Sequence, residues 1–110
     1  MTKMNIGIVL GTNDPETVWN AFRLGVTALK AQHEVVVFLM NKGVEIEDIT
    51  DGKYDVKGQV DAFREQKGRI LACGTCMKSR QKGESAVCPV STMKDLLALI
   101  EKSDKVLTFG

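Results

Sequence analysis

Cys73 and Cys76 stand in the stretch Arg-Ile-Leu-Ala-Cys-Gly-Thr-Cys-Met-Lys-Ser-Arg, which runs from Arg69 to Arg80. The apolar run Ile70 to Ala72 reads as a buried strand that ends at Cys73. Gly74 and Thr75 then turn the chain into a helix beginning near Cys76. Backbone N–H groups at a helix start lack partners, and with the helix dipole they favour an anion. A thiolate is such an anion and is the nucleophilic form of cysteine. This setting can lower a thiol pKa below its free value of about 8.5. Lys78 and Arg80 add positive charge nearby. The chemistry on offer is therefore sulfur chemistry, with Cys73 and Cys76 as catalytic candidates and Gly74, Thr75, Lys78 and Arg80 as anion-binding ones.

The same spacing suits other roles. A C-x-x-C after a strand is also the pattern of a dithiol redox pair, and it is half of a zinc site. Only Cys88 and the single histidine, His33, remain to complete a metal set. His33 falls between the first helix and the second strand, at the far end of the sheet from the cysteines. No metal is expected, and a Cys-His dyad is excluded by the same placement. His33 is expected on the surface at a helix end, where its charged form would meet the dipole favourably. Cys88, between Val87 and Pro89, reads as a small buried hydrophobe, and the same plain role remains open for Cys73. Gly11-Thr12-Asn13-Asp14 lacks both glycine-rich nucleotide patterns, so no cofactor is expected. Gly11, Thr12 and Asn13 are either part of the anion site or a strand-to-helix turn with an Asp cap.

The chain has 110 residues, a length for a single domain, 1–110, with one core. Hydrophobic residues make up 44% and charged residues 26%, ordinary for a globular protein, and the net charge of +1 gives no support for a nucleic-acid surface. No apolar run approaches the roughly 20 residues of a membrane span. Met-Thr-Lys-Met-Asn leads directly into a strand pattern, so no signal peptide is expected. Three cysteines make an odd count, which argues against a disulfide framework and for a reducing cytoplasm.

The elements that must position the sulfurs follow from the patterning. Ile6–Leu10, Val35–Met40, Arg69–Cys73 and Val106–Phe109 are strands; Val35 to Leu39 is continuously apolar, as in strands buried on both faces. Asp14 caps and Pro15 opens a first helix, with Val18, Phe22, Gly25, Ala28 and Leu29 inward. A second helix covers about Lys57 to Lys67, with Val60 and Phe63 inward and Gly68 as its stop. A third runs from Cys76 to about Lys82 and stops at Gly83. Ser91 caps a fourth that buries Met93, Leu96, Leu97 and Ile100. Asn41–Tyr54 is a long loop with a helical turn at Val44, Ile46 and Ile49. Its Glu45, Glu47, Asp48 and Asp51 read as solvated. Trp19 belongs at the core edge or at a subunit interface. These elements predict a three-layer α/β fold, a four-stranded mainly parallel sheet of order 2-1-3-4 with helices on both faces. That order reverses between the first and third strands and would set Gly11–Asp14 opposite Cys73–Cys76 across one crevice.

Taken together, these segments resemble the DsrE/DsrF/TusD-like sulfur-relay family, whose fold is also described as YchN-type. The resemblance covers nearly the whole chain. It rests on Met4–Leu10 with its Gly-polar-Asp loop, the long helix, Gln-His-Glu-Val-Val-Val-Phe-Leu-Met, and Ala-Cys-Gly-Thr-Cys-Met-Lys-Ser-Arg. Its most specific part is the strand-end cysteine followed seven residues later by arginine, Cys73 and Arg80 here. The resemblance implies that Cys73 carries sulfur as a persulfide and that the protein is a cytoplasmic sulfurtransferase or carrier. It further implies a homo-oligomer, trimer or hexamer, that meets sulfur donor and acceptor proteins. Cys76 lies outside the family's general pattern. The competing expectations are a dithiol redox protein using Cys73 and Cys76, and a non-catalytic oligomeric binding module.

Overall fold

Continuous apolar runs become the inner strands of a parallel sheet. The computed structural model describes residues 2–110. Its elements are β1 (Asn5–Leu10), α1 (Pro15–Lys30), β2 (Glu34–Leu39), a 3₁₀ segment (Asn41–Asp48), α2 (Val56–Glu65), β3 (Arg69–Cys73), α3 (Gly74–Ser79), β4 (Val90–Ser91), α4 (Met93–Lys102) and β5 (Lys105–Phe109). Asp14 caps α1 by accepting the Thr17 N–H, with Pro15 at the first position, as the sequence predicts. Trp19 sits half-buried at the edge of the core, 5.2 Å from the Tyr54 ring, with the Arg23 guanidinium 4.2 Å over its face.

All strands are parallel, and their order is β4-β3-β2-β1-β5. This corrects the expected 2-1-3-4 order and its four strands. Two successive right-handed crossovers step in the same direction when their helices share one face. Here α1 and α2 do share a face. Phe22 of α1 and Phe63 of α2 meet edge-on, 5.3 Å between centroids. Gly25 makes room for this: a Cβ there would lie 2.8 Å from Phe63 Cε1. Gly68 does the same on the other side of the Phe63 ring. The 2-1-3 step would have required α2 on the opposite face. The extra strand, β4, is two residues long, too short to show as an apolar run. It pairs Val90 with Ala72 and Ser91 with Cys73.

α4 alone crosses the other face and returns the chain past β1 to β5. It comes close because Gly7 has no side chain; a Cβ there would lie 2.8 Å from Ser103 Oγ. The cap is Thr92, not Ser91, in a reciprocal capping box with Asp95. The face turned inward differs in part from expectation. Leu96 faces the protein as expected, joined by Leu99, whereas Met93, Leu97 and Ile100 are exposed (54%, 57% and 45%). The helical spacing admits either stripe, and Gly7 selects the one that lets Leu99 settle on β1.

Phe63 is fully buried and joins both helices of the first face to the sheet. Phe63→Ala should cost about 3–5 kcal/mol, a large part of a small domain's stability. Urea unfolding of the variant checks this; a loss below about 1 kcal/mol would contradict the packing described.

Candidate functional site

Cys73 is the N-cap of α3. Its Sγ accepts the Cys76 N–H at 3.5 Å, so the helix begins at Gly74, ahead of the expected start near Cys76. Cys73 is 3% exposed, whereas Cys76 is half-buried. The Cys76 sulfur accepts a second backbone N–H, that of Asn41, at 3.2 Å. Asn41 adopts φ 51°, a left-handed conformation that asparagine tolerates. Behind it Gly43 passes so close to Leu10 O that a Cβ would collide. The Asn-Lys-Gly that follows the second strand is a turn signal. That it presents an N–H to Cys76 could not be read without knowing that β2 lies beside β3.

Arg80 holds this end of the sheet together. Its Nε donates to Glu45 Oε2 at 2.8 Å and its Nη1 to Cys76 O at 3.2 Å. The other Glu45 oxygen accepts Asn13 Nδ2 at 2.9 Å. Glu45, expected to be merely solvated, is therefore the bridge between two loops. Burial pushes the Cys76 thiol up, and the adjacent Cys73 acts in the same direction; the Asn41 N–H and Arg80 oppose them. Cys76 is thus a thiol that keeps its proton near neutral pH, contrary to a helix-start cysteine of lowered pKa. Lys78 and Thr75 are exposed on α3, and no hydrogen bond or ion pair joins either to a sulfur among the described residues. Gly74 packs under β4; a Cβ there would meet Val90 Cγ1 at 3.0 Å.

The strand order separates the two loops expected to share a crevice. The 3₁₀ segment after β2 lies between Gly11–Asp14 and Cys73–Cys76. The order reverses instead between β1 and β5, where the Gly11 N–H donates to Phe109 O at 2.8 Å. Thr12 Oγ1 accepts the Asp14 N–H at 3.0 Å. Gly11 and Thr12 thus serve the turn, and Asn13 alone of the three reaches toward the cysteines, through Glu45. His33 stands at the opposite end of the sheet, its Nδ1 accepting the Met4 N–H at 3.0 Å.

Cys88 is 1% exposed. Burial, reinforced by the Glu47 carboxylate, pushes its thiol up to about 12, against weaker opposite effects of Lys82 and Ser85. Ser85 Oγ accepts the Cys88 N–H at 3.0 Å and donates to Glu47 at 2.6 Å. Lys82 pairs with Asp48 at 2.6 Å. In native protein, iodoacetamide should label Cys76 first and Cys88 last, as peptide mapping would read out. Fastest labelling at Cys88 would contradict this geometry.

A pH effect follows from the same thiol. The fold favours its protonated form, so the unfolded chain releases the proton more readily once pH exceeds the ordinary value of 9.0. The stabilisation is complete below 9.0 and is lost as pH rises toward about 12. Urea unfolding on either side of 9.0 should show a falling midpoint that Cys88→Ala flattens. An equal fall in the variant would assign the effect to other groups.

A family model described as the DsrE/DsrF-like family matches residues 4–109. The uncharacterized protein MJ0989 of Methanocaldococcus jannaschii is 30% identical over 100 residues, covering 86% of this chain and 88% of that one. The uncharacterized protein MK0008 of Methanopyrus kandleri is also 30% identical over 100 residues, covering 86% and 83%. Among solved structures, the ychN protein from E. coli superposes with a TM-score of 0.82 at 20% identity, covering 98% of this chain and 100% of its own. A conserved protein of unknown function from Bacteroides thetaiotaomicron, BT1422, gives 0.75 at 15% identity, covering 94% and 93%. The two structures share the fold.

Proposed function

The chain belongs to the DsrE/DsrF-like family, and from that premise we propose that it is a sulfur carrier that holds sulfane sulfur as a persulfide on Cys73. The observation that supports this best is the placement of two thiols within one turn of α3, each with a backbone N–H on its sulfur. Cys73 thiolate attacks the outer sulfur of a donor persulfide; the S–S bond of the donor breaks and the donor thiolate leaves with the electron pair. An acceptor thiolate then attacks the outer sulfur on Cys73, and Cys73 leaves as the thiolate. Alternatively Cys76 attacks Cys73 Sγ, hydrosulfide departs, and a Cys73–Cys76 disulfide remains. Because Cys73 is 3% exposed, loading requires the six-residue α3 to yield, and reclosure shields the persulfide from water.

The closeness of the two cysteines, with the Cys76 N–H on Cys73 Sγ, also favours a second reading, a dithiol redox pair without sulfane chemistry. Intact-mass measurement after incubation with polysulfide separates them. A carrier gains about 32 Da, removed by reductant. A redox pair loses about 2 Da and gains nothing.

The protein works as a homo-oligomer in the reducing cytoplasm, receiving sulfur from one partner and passing it to another. Its three free thiols suit that compartment, and no helix among the described residues is long and apolar enough to cross a membrane. The apolar outer side of α4, with Val106 of β5 (37% exposed) on the same face of the sheet, supports self-association.

A further inference from the structure

A cavity lies at the opposite end of the sheet from the cysteines, lined by Lys3, His33 and Arg69. All-parallel sheets normally have both faces covered. Here α4 covers β1, but among the described residues no helix follows over the start of β2 and β3 on that side. Val36 and Leu71 therefore stay half-buried, beneath a cleft of about 570 Å³ flanked by Leu99 of α4. The volume lies within the about 300–1,000 Å³ usual for small-molecule sites.

The charges around this apolar floor are lopsided. Lys3, Lys67, Arg69 and Lys102 line the cleft with only two carboxylates, Glu34 and Asp95. Glu34 pairs with Lys3 at 3.7 Å. Asp95 is held by Ser91 Oγ at 2.6 Å and by the Thr92 N–H at 2.9 Å, both within the α4 cap. Lys67, Arg69 and Lys102 have no acidic partner at ion-pair distance among the described residues. Arg69 is the telling one. It is the strand partner of Val36, on the same sheet face and one pleat from Leu71. Arg69 is exposed to solvent at the rim of this apolar floor, so its guanidinium is free to meet an anion that enters the cleft.

We propose that this cleft binds a small organic anion with an apolar body. The aliphatic or aryl part lies over Val36, Leu71 and Leu99, and a carboxylate is held by Arg69 with Lys67 and Lys102 beside it. Arginine suits the role because its planar fork takes a carboxylate by two parallel N–H donors. The site is separate from the sulfur chemistry and does not rest on it.

Isothermal titration of the intact chain with decanoate, decanol and inorganic phosphate tests this. Decanoate should saturate at one per chain, and decanol, lacking the charge, should bind about tenfold more weakly. Arg69→Gln, an exposed change at the start of β3, should weaken decanoate about tenfold and leave decanol unchanged. Absence of saturable decanoate binding, equal affinity in Arg69→Gln, or phosphate binding as tightly as decanoate would each overturn the proposal. So would dissociation of an oligomer by decanoate, which would make a second copy of the chain the occupant. Sulfur loading of Cys73 should be untouched by Arg69→Gln, so the two readings fail independently.

Discussion

Cys73→Ser protein, incubated with polysulfide, is expected to take up no sulfur, whereas Cys76→Ser should load and hold the sulfur longer than the wild type. Cys73 ends β3, caps α3 and receives the Cys76 N–H on its sulfur, the strand-end position of the family's sulfur carrier. Cys76 stands one turn of α3 further on and keeps its proton, because burial and the neighbouring Cys73 both disfavour its thiolate. A protonated thiol is a poor nucleophile, so Cys76 attacks slowly; removing it eliminates the nearest route by which hydrosulfide is expelled. Serine keeps the N-cap oxygen for α3, so loss of loading in Cys73→Ser reports chemistry and not unfolding. Loading in Cys73→Ser together with its loss in Cys76→Ser would reverse the roles. Unchanged loading in both variants would remove the carrier function and leave an oligomeric binding module.

The second large effect concerns assembly. Leu97→Glu should convert an oligomer to monomers, measured by light scattering at micromolar concentration. Leu97 is 57% exposed and lies between Met93 and Ile100 on the outer side of α4. Burying one such side chain is worth about 1.5–3 kcal/mol, and symmetry repeats the loss at every copy of the interface. The introduced carboxylate adds the cost of burying a charge without a partner. Because the position is exposed within one chain, the monomer's own stability should change by no more than about 0.5 kcal/mol. A wild-type protein that is already monomeric, or a Leu97→Glu protein that stays assembled, would contradict the assignment of this face.

All the elements but the two-residue β4 were legible in the sequence, because each has a local cause. Pro15 after Asp14, the unbroken Val35–Leu39 run and the break at Cys73-Gly74 all announce themselves within a few residues. The strand order was not, because it depends on which face α2 takes. That choice is made by Phe63 fitting between Gly25 and Gly68, residues far apart in the chain until they meet. The same limit governs the site. Cys73, Cys76 and Arg80 could be singled out from one contiguous stretch. Asn41 and Glu45 could not, since their roles exist only once β2 lies against β3. The stripe on α4 failed for a related reason. Its apolar residues cover more than one side, and only the missing side chain at Gly7 decides which side packs.

The central claim is that sulfur resides on Cys73. Wild-type protein loaded from polysulfide and trapped with iodoacetamide can be cut with trypsin after Arg69 and Lys78, which releases both cysteines in one peptide. Fragmentation between Gly74 and Thr75 then assigns the added sulfur to one side or the other. The account predicts about 32 Da of extra mass on the fragment holding Cys73. Extra mass on the Cys76 fragment alone, or on the peptide holding Cys88, would contradict it.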